Sequence, residues 1–366
     1  MTSSSSAARR TTIIDVARAA SVSRQTVSNV INSPERVAPD TLARVQAEIE
    51  RLGFRPSRAA QSLKQERAGA WGLELNSAGF GRLGAILDTF LIELTTGAAE
   101  RGSHVVPFTA ADSAEPLPAY ERLVASRVAD GFVLTDTRRD DPRPAWLEAH
   151  RVPYAAFGRV WDDPGITSWV DVDGASGVDA AVRHLADQGY ERIGYLGWPE
   201  GSPVGDDRRS GWVRATTDLG LAHPEWQATS TQSLPAACRA AAGLLDQLGL
   251  PGRSARPGRP GRSGPGVAIV CASDALALGA WRVLVERGLE PGVDVGLVCF
   301  DDTDIAEALD LSSLHQPLDR VAERVLHLLA TGPDSRDPAG GLLLPPELVV
   351  RSSSKPAGNR TTRKEK

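Results

Sequence analysis

Apolar residues fall at helical spacing through the first fifty or so positions, and from about residue 70 they gather into short runs separated by longer amphipathic stretches. Thr12-Ile13-Ile14-Asp15 reads as a helix start, with Thr12 at the N-cap and Asp15 completing a capping box. Val16, Ala17 and Ala20 follow as one apolar stripe. Ala20-Ser21-Val22 breaks that stripe, and Ser23 caps a second helix whose Val22 and Val27 form a hydrophobic staple. Val27, Val30 and Ile31 supply its buried face. Pro39 and Asp40 open a third helix, lined by Leu42, Val45, Ile49 and Leu52 and ended by Gly53.

Beyond residue 70 the pattern predicts strands at Trp71–Leu75, His104–Phe108, Gly131–Leu134, Tyr154–Phe157, Arg192–Leu196, Val267–Cys271 and Val295–Phe300. Helical segments such as Ile86–Arg101, Gly174–Gln188, Ala236–Leu248 and Asp274–Arg287 lie between them. Such alternation predicts parallel sheets joined by right-handed crossovers, and some 290 residues predict two α/β lobes rather than one. The organisation expected is a helical headpiece (11–56), a linker (57–67), a two-lobed body (68–354) with a Pro/Gly/Arg-rich surface loop (251–266), and a polar, disordered tail (355–366).

Charge sharpens this division. The chain of 366 residues has a net charge of −5, yet residues 1–67 carry eleven Lys/Arg against six Asp/Glu, and the remainder is acidic. A basic head on an acidic body points to a polyanionic partner for the head. No uncharged apolar run approaches the roughly 20 residues of a membrane span, and no apolar signal segment opens the sequence, so a cytoplasmic protein is expected. Cys238, Cys271 and Cys299 fit neither a disulfide framework nor zinc-ligand spacing, and reduced thiols are expected.

Two short helices and a tight turn in a basic segment make a helix-turn-helix candidate. Its second helix presents Arg24, Gln25, Ser28 and Asn29 opposite the apolar face. Arginine pairs bidentately with guanine, and Gln and Asn with adenine; an ordinary helical hairpin with a solvated face is the alternative. Thr12–Asn32 (TIIDVARAASVSRQTVSNVIN), Val37–Pro56 (VAPDTLARVQAEIERLGFRP) and Ser57–Leu63 (SRAAQSL) closely resemble the headpiece of the lactose-repressor (LacI) family. The resemblance implies that Arg24, Gln25 and Asn29 read bases and that Thr12, Thr26 and Ser28 touch phosphates. Ala38 departs from the family's usual Ser or Thr cap, and Asn29 from a frequent Arg. Ser57–Leu63 is only two turns long and should fold only against a partner. The resemblance makes it a hinge helix with Ala60 and Leu63 in the minor groove and Leu63 wedged into the central base step.

The body resembles the family as well, as two lobes like those of periplasmic sugar-binding proteins. The stretches concerned are Trp169–Gly174, His184–Gly194, Asp207–Trp212, Ala272–Gly279, Val298–Asp302 and Ser312–Pro317. The resemblance implies that a small polar effector lies between the lobes, hydrogen-bonded by Arg208 and Asp274, with Trp169 as a flat apolar face and Phe300 and Asp302 at the same cleft. Each has a plainer reading: Asp274 as a helix cap, Arg208 as the partner of Asp206 or Asp207, Trp169 as core with Trp161 competing for its role. Asp301 and Asp302 are adjacent on a strand and should point to opposite faces, which argues against paired acid/base work. The Gly-rich segment Glu74–Gly84 departs from the family pattern, leaving Asn76 and Arg82 as first-lobe candidates; Arg159 sits where the lobes join.

These readings converge on an α-helical headpiece followed by an α/β body with parallel sheets, in a homodimeric transcriptional repressor. The partners expected are a pseudo-palindromic DNA operator and a sugar-like effector, with no cofactor, metal or catalytic role. No leucine heptad follows an expected last strand at Leu342–Val350, so a dimer is expected rather than a tetramer. The rival reading is a sugar-binding transport component without a DNA function.

Overall fold

The computed structural model describes residues 11–54, 68–75, 84–112, 115–250, 266–331 and 341–355. Ala60, Leu63 and the rest of the expected hinge helix, Asn76, Arg82, loop residues 251–265 and the tail from residue 356 lie outside them. The chain divides into two units, one to Ala68 and one from Gly69.

The first unit holds helices α1 (Ile13–Ala19), α2 (Arg24–Asn32) and α3 (Pro39–Arg51). The capping box forms, with the Thr12 backbone N–H donating to Asp15 (2.9 Å) and the Asp15 N–H donating to the Thr12 hydroxyl (3.4 Å). Ser21 takes a left-handed φ of 52° in the turn, and Gly53 one of 59° after α3. Val16, Ala17, Ala20, Val27, Val30, Val45 and Phe54 form the core, with Val22, the other half of the staple, packed against it. Ala38 starts α3 with no side-chain cap.

The second unit runs as β1 (Ala70–Glu74), α4 (Ala85–Glu100), β2 (His104–Phe108), α5 (Leu117–Ala125), β3 (Gly131–Leu134), α6 (Pro142–Ala149), β4 (Tyr154–Phe157) and β5 (Trp169–Val172). It continues with α7 (Gly174–Asp187), β6 (Tyr190–Gly197), α8 (Pro203–Asp218), β7 (Gln227–Thr229), α9 (Leu234–Gln247), β8 (Gly266–Cys271), α10 (Asp274–Glu286), β9 (Val295–Asp301), α11 (Asp304–Ala308) and β10 (Ser312–His315). It closes with α12 (Leu318–Thr331), β11 (Leu342–Leu344) and β12 (Glu347–Val349). Among the described residues two six-stranded sheets form, ordered β11-β5-β4-β3-β1-β2 and β12-β10-β9-β8-β6-β7. Every pairing is parallel except the antiparallel β10–β12. The chain therefore passes between lobes after β5, after β10 and between β11 and β12.

The expected single strand at Leu342–Val350 is two strands, one in each sheet. Pro345-Pro346 stands between them and supplies no ladder donors. Strands β5, β7 and β10 escape hydropathy reading; in β5 and β10 polar residues are buried. Ser312 and Ser313 in β10 are fully buried, and the Ser312 hydroxyl bonds Ser354 (2.7 Å) while its N–H donates to Ser353 (2.8 Å). Helices α7 and α8 lie so close that a Cβ on Gly211 would fall 2.1 Å from the Ala175 carbonyl oxygen.

The first lobe encloses a charged cluster. Arg143 donates to Glu74 (3.0 Å), to Asp141 (2.7 Å) and to the carbonyl of Thr135 (3.1 Å), and Tyr120 donates to Glu74 (2.8 Å). The Arg143, Glu74 and Asp141 side chains are all less than a tenth exposed. The cluster pins the loop after β3 to the end of β1. Arg143→Met should cost about 3–5 kcal/mol of stability by stranding two buried carboxylates. Denaturant unfolding of the full chain measures the loss, and adding Glu74→Gln should recover part of it.

Candidate functional site

In the headpiece, Arg24 and Gln25 are exposed on the first turn of α2, and Asn29 stands one turn later, half-buried. Gln25 Nε2 donates to Asn29 Oδ1 (3.0 Å), so the two amides form one aligned polar edge. Ser23, Thr26 and Ser28 share this end of the helix; the Thr26 hydroxyl bonds that of Ser23 (2.9 Å), and Ser28 accepts from Asn32 (3.3 Å). The Thr12 hydroxyl donates to Asp15 (2.7 Å), so a phosphate there competes with the capping box.

In the body, parallel strands bring their carboxyl ends to one side of each sheet, where ligands of open α/β folds gather. In the second lobe Arg208, on α8, is almost fully buried. Its guanidinium carbon lies 3.6 Å from the Phe300 ring centroid and 5.3 Å from that of Trp198, and Nη1 stands 3.6 Å from Asp301 Oδ1. Gln316 donates to the same Asp301 oxygen (2.7 Å). Arg208 Nε has no partner among the described residues. Burial, with the charge of Asp274 nearby, pushes the Asp301 carboxyl up to about 7 against the opposing pull of Arg208.

Arg159, just beyond β4 in the first lobe, donates to Asp171 (3.1 Å) and reaches Asp207 of α8 in the second lobe (2.7 Å). The same Asp207 oxygen accepts the Ala175 N–H at the start of α7 (3.0 Å). Trp161 covers Arg159, its ring centroid 4.5 Å away.

Several expected site residues stand elsewhere in this arrangement. Trp169 opens β5, at the end of the strand away from the cleft. Its indole N–H donates to Ile166 (3.1 Å) and its ring packs on the first-lobe core, whereas Trp161 lies against Arg159. Asp274 is buried with its carboxylate already accepting from Thr303 N (2.7 Å), Thr303 Oγ1 (2.8 Å) and Ser313 Oγ (2.8 Å). These bonds tie it to the turn after β9 and to β10. The helix cap there is Ser273, not Asp274. Asp302 is held by Arg351 (2.7 Å) and lies 3.3 Å from His315, while its neighbour Asp301 faces Arg208. The two carboxylates do diverge, at left-handed φ values of 117° and 52°. Phe300 has no exposed surface and backs Arg208. Asp301, Trp198 and Gln316 were missed. The signal that points to Asp301 is its position as the last residue of a central parallel strand.

Two family models match the chain: "Bacterial regulatory proteins, lacI family" over residues 12–57 and "Periplasmic binding protein-like domain" over residues 182–354. The HTH-type transcriptional regulator CelR of Thermobifida fusca is 32% identical over 360 residues, 94% of this chain and 98% of that protein. The chain belongs to the LacI family. It is a DNA-binding transcriptional regulator, as its relatives are. Among solved structures, a transcriptional regulator CelR–cellobiose complex covers 94% of this chain and all of its own (27% identity, TM-score 0.67). The lac repressor dimer bound to operator and the anti-inducer ONPF covers 95% of this chain and all of its own, with TM-score 0.76 at 23% identity, a likeness of fold. Among the described residues of this LacI-family regulator, no helix is long and apolar enough to cross a membrane.

Because the folded protein holds the Asp301 proton to about pH 7 and the unfolded chain releases it in the ordinary carboxylate range, stability falls as pH rises between those points. The melting temperature should therefore be lower at pH 8 than at pH 5, and Asp301→Asn should narrow that gap in a thermal melt.

Proposed function

We propose that this LacI-family regulator is a homodimeric repressor that works in the cytoplasm and is controlled by a sugar-like effector closed between its lobes. Two headpieces occupy major-groove half-sites of a pseudo-palindromic operator. Arg24, Gln25 and Asn29 read base edges, and Thr12, Thr26 and Ser28 contact phosphates. The 57–63 segments of the two protomers pair in the minor groove, Ala60 against the duplex and Leu63 wedged between bases. The exposed Gln25–Asn29 amide edge beside Arg24 supports this readout.

The observation that carries the effector reading is the Arg208–Asp301 pair at the second-lobe strand ends, with Arg208 Nε unpartnered and Arg159 reaching across from the first lobe. Directional donors and acceptors converge there on a point where both lobes already touch, which is what orients a small polyhydroxyl ligand. The relative solved with cellobiose supports a sugar. The cleft binds its ligand and releases it unchanged. Ligand-dependent movement of one lobe against the other alters whether the two linkers can meet, and a coupling of about 1–3 kcal/mol changes operator affinity by roughly 5–150-fold.

Arg24→Ala should weaken operator binding by about 1–3 kcal/mol and relax one base position, with a smaller loss on random DNA, as read by titration of labelled duplexes. Leu63→Ala should reduce both affinity and operator bending in a gel-shift phasing assay. Arg208→Ala should leave operator binding in place and abolish its response to sugars; a persisting response would move the effector site elsewhere.

A further inference from the structure

Five buried polar atoms near the strand ends have no hydrogen-bond partner among the described residues: Thr137 Oγ1, Trp161 Nε1, Tyr195 OH, Trp198 Nε1 and Arg208 Nε. Burying such a group unpaired is costly, and folded proteins hold few of them. Three of the five are obligate donors, two indole N–H groups and a guanidinium N–H, and the other two are hydroxyls. A ligand that satisfies them must be rich in acceptor oxygens.

Charge narrows the class further. Arg159 is already neutralised by Asp171 and Asp207, and Arg208 faces Asp301. Among the described residues, both cleft arginines thus already have carboxylate partners, with which an added anion would have to compete. The two indoles also share a frame. Trp161 lies on Arg159, Arg159 reaches Asp207, the next residue is Arg208, and Arg208 lies near Trp198. Each lobe thus contributes one half-buried indole, placed by an arginine, with a free donor on its edge.

We propose that Trp161 and Trp198 are the specificity-determining residues of the cleft, and that they select an uncharged saccharide over sugar phosphates, sugar acids and nucleobases. The apolar C–H face of a pyranose lies on an indole while its hydroxyl and ring oxygens accept the two Nε1–H donors. This rests on the effector reading above and deepens it. A site with buried donors discriminates strongly against ligands that leave them unpaired.

The test uses full-length protein and four probe sets: the neutral sugars cellobiose, maltose, lactose and glucose; glucose 6-phosphate; gluconate and galacturonate; and guanine and hypoxanthine. Calorimetry and tryptophan fluorescence measure binding, and a labelled-operator assay is run in parallel. At least one neutral sugar should bind, and no other probe. Trp161→Phe and Trp198→Phe, which keep an aromatic face and lose the N–H, should each weaken that sugar about tenfold, as expected for one stranded ligand hydrogen bond. Their ligand-free melting temperatures should stay near that of the parent, and Trp198→Ala should weaken the sugar further. Binding by an anionic sugar or a nucleobase, unchanged affinity in both Phe variants, or no binding by any neutral sugar overturns the inference. An anionic sugar that releases operator DNA would overturn it while leaving the effector reading standing; operator binding that ignores every probe overturns both.

Discussion

The body turns on the carboxylate of Asp207. One of its oxygens accepts from Arg159 of the first lobe and from the Ala175 N–H that begins α7 in the second. The positive end of a helix and a guanidinium thus meet on one anion, with the Arg159 and Asp207 side chains each less than a fifth exposed. Burial works against the charge on Arg159, but Asp207 and Asp171 outweigh it and raise its pKa. The next residue is Arg208, so the contact that joins the lobes and the guanidinium facing Asp301 share one turn of α8.

Much of the fold was legible because backbone punctuation and apolar period agree. The caps at Thr12 and Ser23, the Val22–Val27 staple and Gly53 all act as expected, and the strands at His104–Phe108, Gly131–Leu134 and Tyr154–Phe157 have the expected bounds. What hydropathy misses is structure stabilised by polar pairing. Strand β10 buries Ser312 and Ser313 against the hydroxyls of Ser353 and Ser354, and β5 buries Asp171 against Arg159. Neither strand presents an apolar run.

The site was legible in its arginines and less so in its acids and aromatics. Arg208 faces Asp301 in the second lobe, and Arg159 reaches from the first lobe to Asp207. Asp274, Asp302 and Trp169 are chemically plausible ligand contacts whose polar atoms also bond the protein itself, at Thr303 and Ser313, at Arg351, and at Ile166. Residue type says what a side chain can bond; only the strand end on which it sits says whether a partner has already taken it. That distinction separates Asp301 from Asp302 across a single peptide bond.

The three passages of the chain between sheets set what kind of motion the body permits. Asp173, leaving β5, donates its N–H to Leu344 at the end of β11 (2.9 Å), so two of the passages are stitched side by side. Two bound straps and a third resist sliding and twisting far better than bending about the line that joins them. The joint therefore works as a flexure with one soft direction, in which Pro345 and Pro346 stiffen one strap. Such a joint confines the relative motion of the lobes to a single angle.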